Sequence, residues 1–368
     1  MTPTSSDVLT EQAALAGTKT RRLVVDCDIH NSIGPGALDP YLSQRWKRHS
    51  ELFGNRSRQS GTYPKGAPNA ARGDAWPPSG LPPGGDLDFM RTQHLDGAGI
   101  EFGILNCLGP APGQLNADYA AALCHATNEW QIEEWLEKEP RLRAGICVPH
   151  EYGDLAADEV ERMHGHPGFV QVLLTVRTAE PLGRRKYWKL YETAEKYDLP
   201  IGIHFGGTQG NPLTPSGWPS YYIEDHTGMA LAFQSQVISY VCEGVFERFP
   251  KLKIVLIEGG FAWLPSLMWR LDQHWNRLRE EVPHLRRRPS DYIRDHFWVT
   301  TQPMEEPHNP RHLLDVFEHH GATEKVMFST DYPHWDYDAP DRAFPVSVPT
   351  ELRDGIFGGN AKKLYGLN

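Results

Sequence analysis

Five chemistry-capable side chains stand where short apolar runs finish in this 368-residue chain: Asp28 and His30 in VVDCDIH, His204 in LPIGIH, Glu258 in KIVLIEGG, and Asp331 in KVMFSTDYPH. Three carboxylates and two imidazoles are the donor set for a divalent cation, and zinc, manganese and iron all accept it. Spacing adds to residue type. Side chains two apart on a strand share a side, whereas on a helix the same step turns them about 200° apart. Asp28 and His30 can therefore hold one ion. Asp272 and His274 repeat the spacing but lie in WRLDQHWNRL, which reads as helix, so they diverge. A lone Asp-x-His is expected about once in a chain this long. Its coincidence with His204, Glu258 and Asp331 at three other strand ends is what makes it informative.

A divalent ion bound by such a set lowers the pKa of water from about 15.7 toward about 7, which suits hydrolysis of an amide, lactone or ester. Asp331, Glu258 and His226 are the candidate catalytic groups, Asp331 serving as both ligand and proton shuttle. Glu258 could instead accept backbone N–H bonds at the Gly-Gly turn beyond it. His226, in EDHTG, is either a ligand or a cap for a helix starting at Thr227. Asp26 shares a strand face with Asp28 one step deeper, which favours an interior hydrogen bond. His334 either supports the metal site or is a turn residue after Pro333. A substrate anion needs a cation, for which Arg177, Arg56 and Arg72 are candidates. Trp335 could flank a substrate ring, though it reads, with Asp336, Tyr337 and Asp338, as loop packing and solvent charge.

Eight β-like runs must carry these residues: 23–27, 102–106, 143–148, 169–174, 200–204, 253–257, 297–300 and 325–330. Between them lie segments such as KYWKLYETAEKY and GMALAFQSQVISYVCEGVFERF, whose apolar residues recur at three- and four-residue steps. Strand and helix alternating eight times predict a (β/α)8 barrel, with working groups at the C-terminal ends of the strands. No GxGxxG follows the first strand to favour an open doubly wound sheet. Residues 54–88, rich in Gly and Pro, predict a lid-like insertion at the mouth after strand one, and 206–222 a second mouth loop. Trp130, Trp135, Trp263 and Trp269 read as packing between helices and barrel, and His164, His166, His319 and His320 as surface.

A net charge of −10 offers no basic field for nucleic acid or an anionic membrane. Five scattered cysteines without CxxC spacing read as reduced core thiols. No stretch reaches the roughly 18 apolar residues of a membrane span, and the N-terminus lacks a secretory signal. The expectation is a soluble cytoplasmic protein with a flexible tail over 1–20 and one metal-dependent barrel domain over 21–368.

The motifs VVDCDIH, LPIGIHFGG, FERFPKLKIVLIEGGFAWLP, MFSTDYPH and GNAKKLYGL resemble the amidohydrolase superfamily, within it the branch of aminocarboxymuconate semialdehyde decarboxylase and related aromatic-acid decarboxylases. The likeness runs from roughly residue 22 to 367. It implies a metal held by an acidic residue or His plus a His after strand one, a His after strand five and an Asp after strand eight. Those roles fall on Asp28, His30, His204 and Asp331. That branch carries a His before the glycines of strand six, where this chain has Glu258. A carboxylate cannot act as a cationic imidazole does, but it can bridge a second ion, accept a proton from bound water or orient a ligand. The resemblance also makes a homodimer possible.

The expected function is thus a metal-dependent hydrolase or non-oxidative decarboxylase of a small carboxylated, cyclic organic acid, using one metal ion or two. The alternative is an oxygen-activating monooxygenase with two iron or manganese ions, for which Glu258 and His226 would suit the second ion. A non-catalytic barrel acting as a partner subunit is the third reading.

Overall fold

The computed structural model describes residues 24–54, 68–109, 113–207, 214 and 216–368. The expected tail over 1–20, part of the 54–88 insertion and part of the 206–222 loop lie outside the described residues, and Arg56 with them. Eight strands run in chain order and pair in parallel: β1 Val24–Ile29, β2 Ile100–Leu105, β3 Leu142–Cys147, β4 Phe169–Arg177, β5 Ile201–Gly207, β6 Ile254–Ile257, β7 Phe297–Thr300 and β8 Val326–Met327. Backbone bonds close the ring between its ends: Cys27 N donates to Phe328 O at 3.0 Å, Asp331 N to Asp28 O at 3.1 Å and His30 N to Tyr332 O at 2.8 Å. The molecule is a (β/α)8 barrel. Strands covered on both faces read as near-continuous apolar runs, as FVQVLLTVR does.

Helices return the chain from each strand to the next, among them Ala117–Gln131, Gly153–Met163, Trp188–Lys196, Met229–Cys242 and Leu264–Leu278. The first begins where Asn116 Oδ1 accepts the N–H of Tyr119 at 3.1 Å, a standard N-cap. After the last strand, the Asn360–Tyr365 helix packs Ala361, Leu364 and Tyr365 against Val25, Val170, Val255 and Met327. Those strand residues precede the acidic ends, so the helix covers the opposite end of the barrel.

Two local differences from expectation have identifiable causes. β8 is shorter than the run 325–330 because side chains replace the ladder: Ser329 N donates to Thr301 Oγ1 and Thr330 N to Asp26 Oδ1. Asp26 makes the interior hydrogen bonds expected of it: it is buried, and His94 Nε2 lies 2.8 Å from its Oδ2. Its buried carboxylate also accepts from Thr330 Oγ1 at 2.6 Å, so it ties β8 to β1. His226 does not cap a helix at Thr227, because it lies in the last turn of a helix over Tyr222–Thr227.

Elsewhere, His320 is buried in the Leu313 and Phe317 face of the His312–His320 helix, not at the surface, and Trp269 is 55% exposed rather than packed. No helix among the described residues is long and apolar enough to cross a membrane.

The described part of the insertion runs along the loop after β8. Arg72 N donates to Pro333 O at 3.0 Å, Trp335 N to Ala70 O at 2.7 Å, and Ser32 N to Gly84 O at 3.0 Å. Gly84 sits at φ +75°, and a Cβ there would lie 2.3 Å from the His30 carbonyl oxygen, so only glycine allows this approach.

Candidate metal centre

Asp28, His30, His204, Glu258 and Asp331 each present a ligand atom within 4.8 Å of the others', and all five are buried. The strand ends bring them there. Asp28 and His30 leave the end of β1, His204 lies in β5, and Glu258 follows β6. Asp331 stands in the loop after β8. Glu258 and Asp331 have φ of +60° and +61°, a left-handed conformation that costs a side-chain-bearing residue roughly 1–2 kcal/mol. Strain of this kind persists where surrounding structure holds it, and here it turns both carboxylates to the shared centre.

The imidazoles are oriented from behind. His30 Nδ1 donates to the Asn106 carbonyl at 2.9 Å, and His204 Nδ1 to the Phe205 carbonyl at 2.6 Å. Each ring therefore turns Nε2 toward the carboxylates, the arrangement by which backbone carbonyls fix a metal-ligating tautomer. His30 Nε2 lies 2.9 Å from Asp331 Oδ1 and 3.5 Å from Asp28 Oδ1. Burial pushes His30 down to about 4, and with Nδ1 engaged by the Asn106 carbonyl its Nε2 faces the carboxylate oxygens. That contact is repulsive unless a proton or a cation lies between.

Charge balance points the same way. Burial works against a charged His204, but Asp28 and Glu258 outweigh it and lift the imidazole to about 9. Burial also opposes ionisation of Asp28, yet His204 and His30 bring it down to about 2. Glu258 has less compensation and burial lifts it to about 8, while Asp331 is raised well above its usual range by burial and by Glu258 and Asp28. No lysine or arginine among the described residues pairs with any of these carboxylates; their partners are histidines. The cluster is short of positive charge, and its nitrogen and oxygen donors fit a divalent transition metal.

Residue-type reasoning missed the support behind Asp28. Asn106 Nδ2 donates to Asp28 Oδ1 at 2.9 Å, Gln171 Nε2 to Asn106 Oδ1 at 2.8 Å, and Tyr365 OH to Gln171 Oε1 at 2.9 Å. A buried polar line thus runs from the C-terminal helix to the cluster. Asn106 stands just beyond β2, so its place at a strand end was the available signal. His334, open to two readings in the sequence, bonds Asp331 Oδ1 through Nδ1 at 2.7 Å and stacks on His30 at 4.2 Å between ring centres.

A cavity of about 540 Å³ opens on His30 and His334, with Ile33, Leu38, Leu42, Cys107 and Leu123 among its walls. Its described lining includes no arginine or lysine. Arg177 instead pairs with Asp225 at 3.2 Å, and Arg72 grips Asp74 through two bonds at 2.6 and 2.7 Å. Trp335 also lies off this cavity: its Nε1 donates to Tyr222 OH at 3.1 Å, and its ring is 5.2 Å from that of His226. His226 is outside the five-residue cluster, with Nε2 at 3.1 Å from Asp336 Oδ2.

Residues 25–367 match the family model described as Amidohydrolase. A γ-resorcylate decarboxylase from Polaromonas sp. (strain JS666) is 31% identical over 302 residues, 77% of this chain and 88% of that protein. The crystal structure of 2,6-dihydroxybenzoate decarboxylase from Rhizobium superposes with a TM-score of 0.66 at 22% identity, covering 94% of this chain and 99% of that one. A dihydroxybenzoic acid decarboxylase from Polaromonas sp. JS666, solved with bound manganese and the inhibitor 2-nitroresorcinol, gives 0.65 at 23% identity, covering 94% and 98%.

Proposed function

The chain belongs to the amidohydrolase family, and from that premise we propose that it is a metal-dependent, non-oxidative decarboxylase of a small hydroxylated aromatic carboxylic acid. The observation that carries this reading is the buried convergence of five donor side chains within 4.8 Å of one another, with His30 Nε2 2.9 Å from Asp331 Oδ1. Asp28, His30, His204 and Asp331 would hold the ion, with Glu258 beside them; manganese, zinc and iron all suit the donors. When bound, the ion polarises the substrate's carboxylate and neighbouring oxygen and offsets the charge of the protein carboxylates. The substrate class comes from the relatives, which are named for resorcylate and dihydroxybenzoate. None of those named here is an oxygenase, so the two-metal oxygenase alternative has no support from them.

The chain's own residues then have distinct tasks. Asn106 holds the Asp28 carboxylate and the His30 ring at once, through its amide and its carbonyl. Apolar walls at Leu38, Leu42 and Leu123 suit an aromatic ring and keep water from it. The described lining offers no cationic side chain to a substrate anion. Asp331 Oδ1 and His334 Nδ1 share a proton, and His334 also lines the cavity, so this pair can deliver a proton to the ring carbon. The bond from ring carbon to carboxylate breaks, its electron pair stays on carbon, carbon dioxide leaves and the carbon takes the proton. No oxidant enters the balance.

The test is an anaerobic assay of manganese-loaded protein against hydroxybenzoates in deuterium oxide. Carbon dioxide release with deuterium at the vacated ring position is expected. Metal-loaded protein that turns over no hydroxybenzoate, or only with dioxygen, overturns the reading.

A further inference from the structure

Beside the five-residue cluster stands a second group of donors. His226, Glu258 and Asp336 each offer an atom within 4.8 Å of the others', and Glu258 belongs to both groups. His226 Nε2 and Asp336 Oδ2 are 3.1 Å apart. Glu258 is 4% exposed, yet its buried Oε2 has no hydrogen-bond partner. That oxygen is 3.2 Å from His204 Nε2, but the hydrogen bond of that nitrogen goes to Asp28 Oδ2. A carboxylate oxygen removed from water without a donor is costly, and a cation is a partner that satisfies it.

Asp336, expected in loop packing, is held instead against the centre through Gln302, whose Nε2 is 2.9 Å from Asp336 Oδ2 and 3.3 Å from Asp331 Oδ2. One amide thus bridges a carboxylate from each group. Trp335 and Tyr222 flank the His226 ring at 5.2 and 5.6 Å between ring centres, which fixes its approach to Asp336.

We propose that His226, Glu258 and Asp336 form a second divalent-cation site, contiguous with the first and joined to it by the Glu258 carboxylate. An imidazole with two carboxylates selects manganese, iron or zinc over calcium or magnesium. Two-metal centres place their ions about 3.5–4 Å apart, a separation that a single carboxylate spans. The inference rests on the first site being a metal site, and its test keeps the two claims separate.

Full-length protein stripped with a chelator is titrated with manganese alone, and bound metal is followed by elemental analysis and electron paramagnetic resonance. Expected is uptake of a second equivalent per chain, with a spin-coupled signal replacing that of the isolated ion. Asp336→Asn, which keeps the side-chain shape, and His226→Ala should each return the stoichiometry to one equivalent and restore the isolated-ion signal. Wild-type saturation at one equivalent overturns the second site and leaves the first. Retention of both equivalents in the two variants also overturns it. A chain that takes up no manganese overturns the proposed function as well.

Discussion

At the residue scale the decisive feature is how few degrees of freedom the donors retain. His30 is fixed by Asn106 O, Asp28 by Asn106 Nδ2, and Asn106 in turn by Gln171. Partners behind metal ligands typically contribute 10–100-fold in affinity. Asn106→Ala should therefore weaken manganese binding by about 10–100-fold, read by competition with a calibrated chelator, since the truncation frees the Asp28 carboxylate while the His30 ring keeps its bond to the backbone carbonyl. Asp331→Asn should lower turnover by about 10²–10⁴-fold, because it removes the carboxylate that bonds His334 Nδ1 and that the proposed function makes a metal ligand and proton shuttle. Unchanged turnover in that variant would move the proton transfer to another group.

At the element scale, the turn after β1 and the insertion are one mechanical unit. Gly84 approaches the His30 carbonyl so closely only because it lacks a Cβ. Gly80 also has positive φ, at +82°, but nothing lies within 4 Å of a Cβ built there. Gly80→Ala should cost only the left-handed penalty of roughly 1–2 kcal/mol. Gly84→Ala should lower the melting temperature further and weaken manganese binding, because the clash falls on His30, whose imidazole is a proposed ligand. Equal effects of the two substitutions on metal affinity would show that the insertion does not position His30.

At the scale of the whole molecule, two linkages set stability. Removing the metal should lower the melting temperature, since a ligand at about 100 times its Kd adds about 2.7 kcal/mol. Differential scanning calorimetry with and without chelator reads this, and readdition of manganese should restore the transition. The second linkage is His320, which burial pushes down to about 4 in the folded chain. Its unfolded value near 6.5 means that between about pH 6.5 and 4 the unfolded chain binds a proton that the folded chain refuses. Stability is lost as pH falls through that window, by up to about 3 kcal/mol from this group. His320→Leu should flatten the acid limb of a stability–pH curve while leaving the neutral region nearly unchanged. An acid limb of undiminished slope would assign acid sensitivity to other groups.

The sequence alone carried the barrel and the strand-end donors, because buried parallel strands write themselves as apolar runs and the fold delivers the residues after each run to one rim. Asp28, His30, His204, Glu258 and Asp331 were legible for that reason. Tertiary structure alone decided which side chains meet between strands: that Asp26 faces His94, that Asn106, Gln171 and Tyr365 back the cluster, and that Arg177 and Arg72 are taken by Asp225 and Asp74. Hydrogen bonds across 68, 65 or 48 positions leave no periodicity in the chain. A side chain's partner depends on direction and distance, which the order of residues does not encode locally.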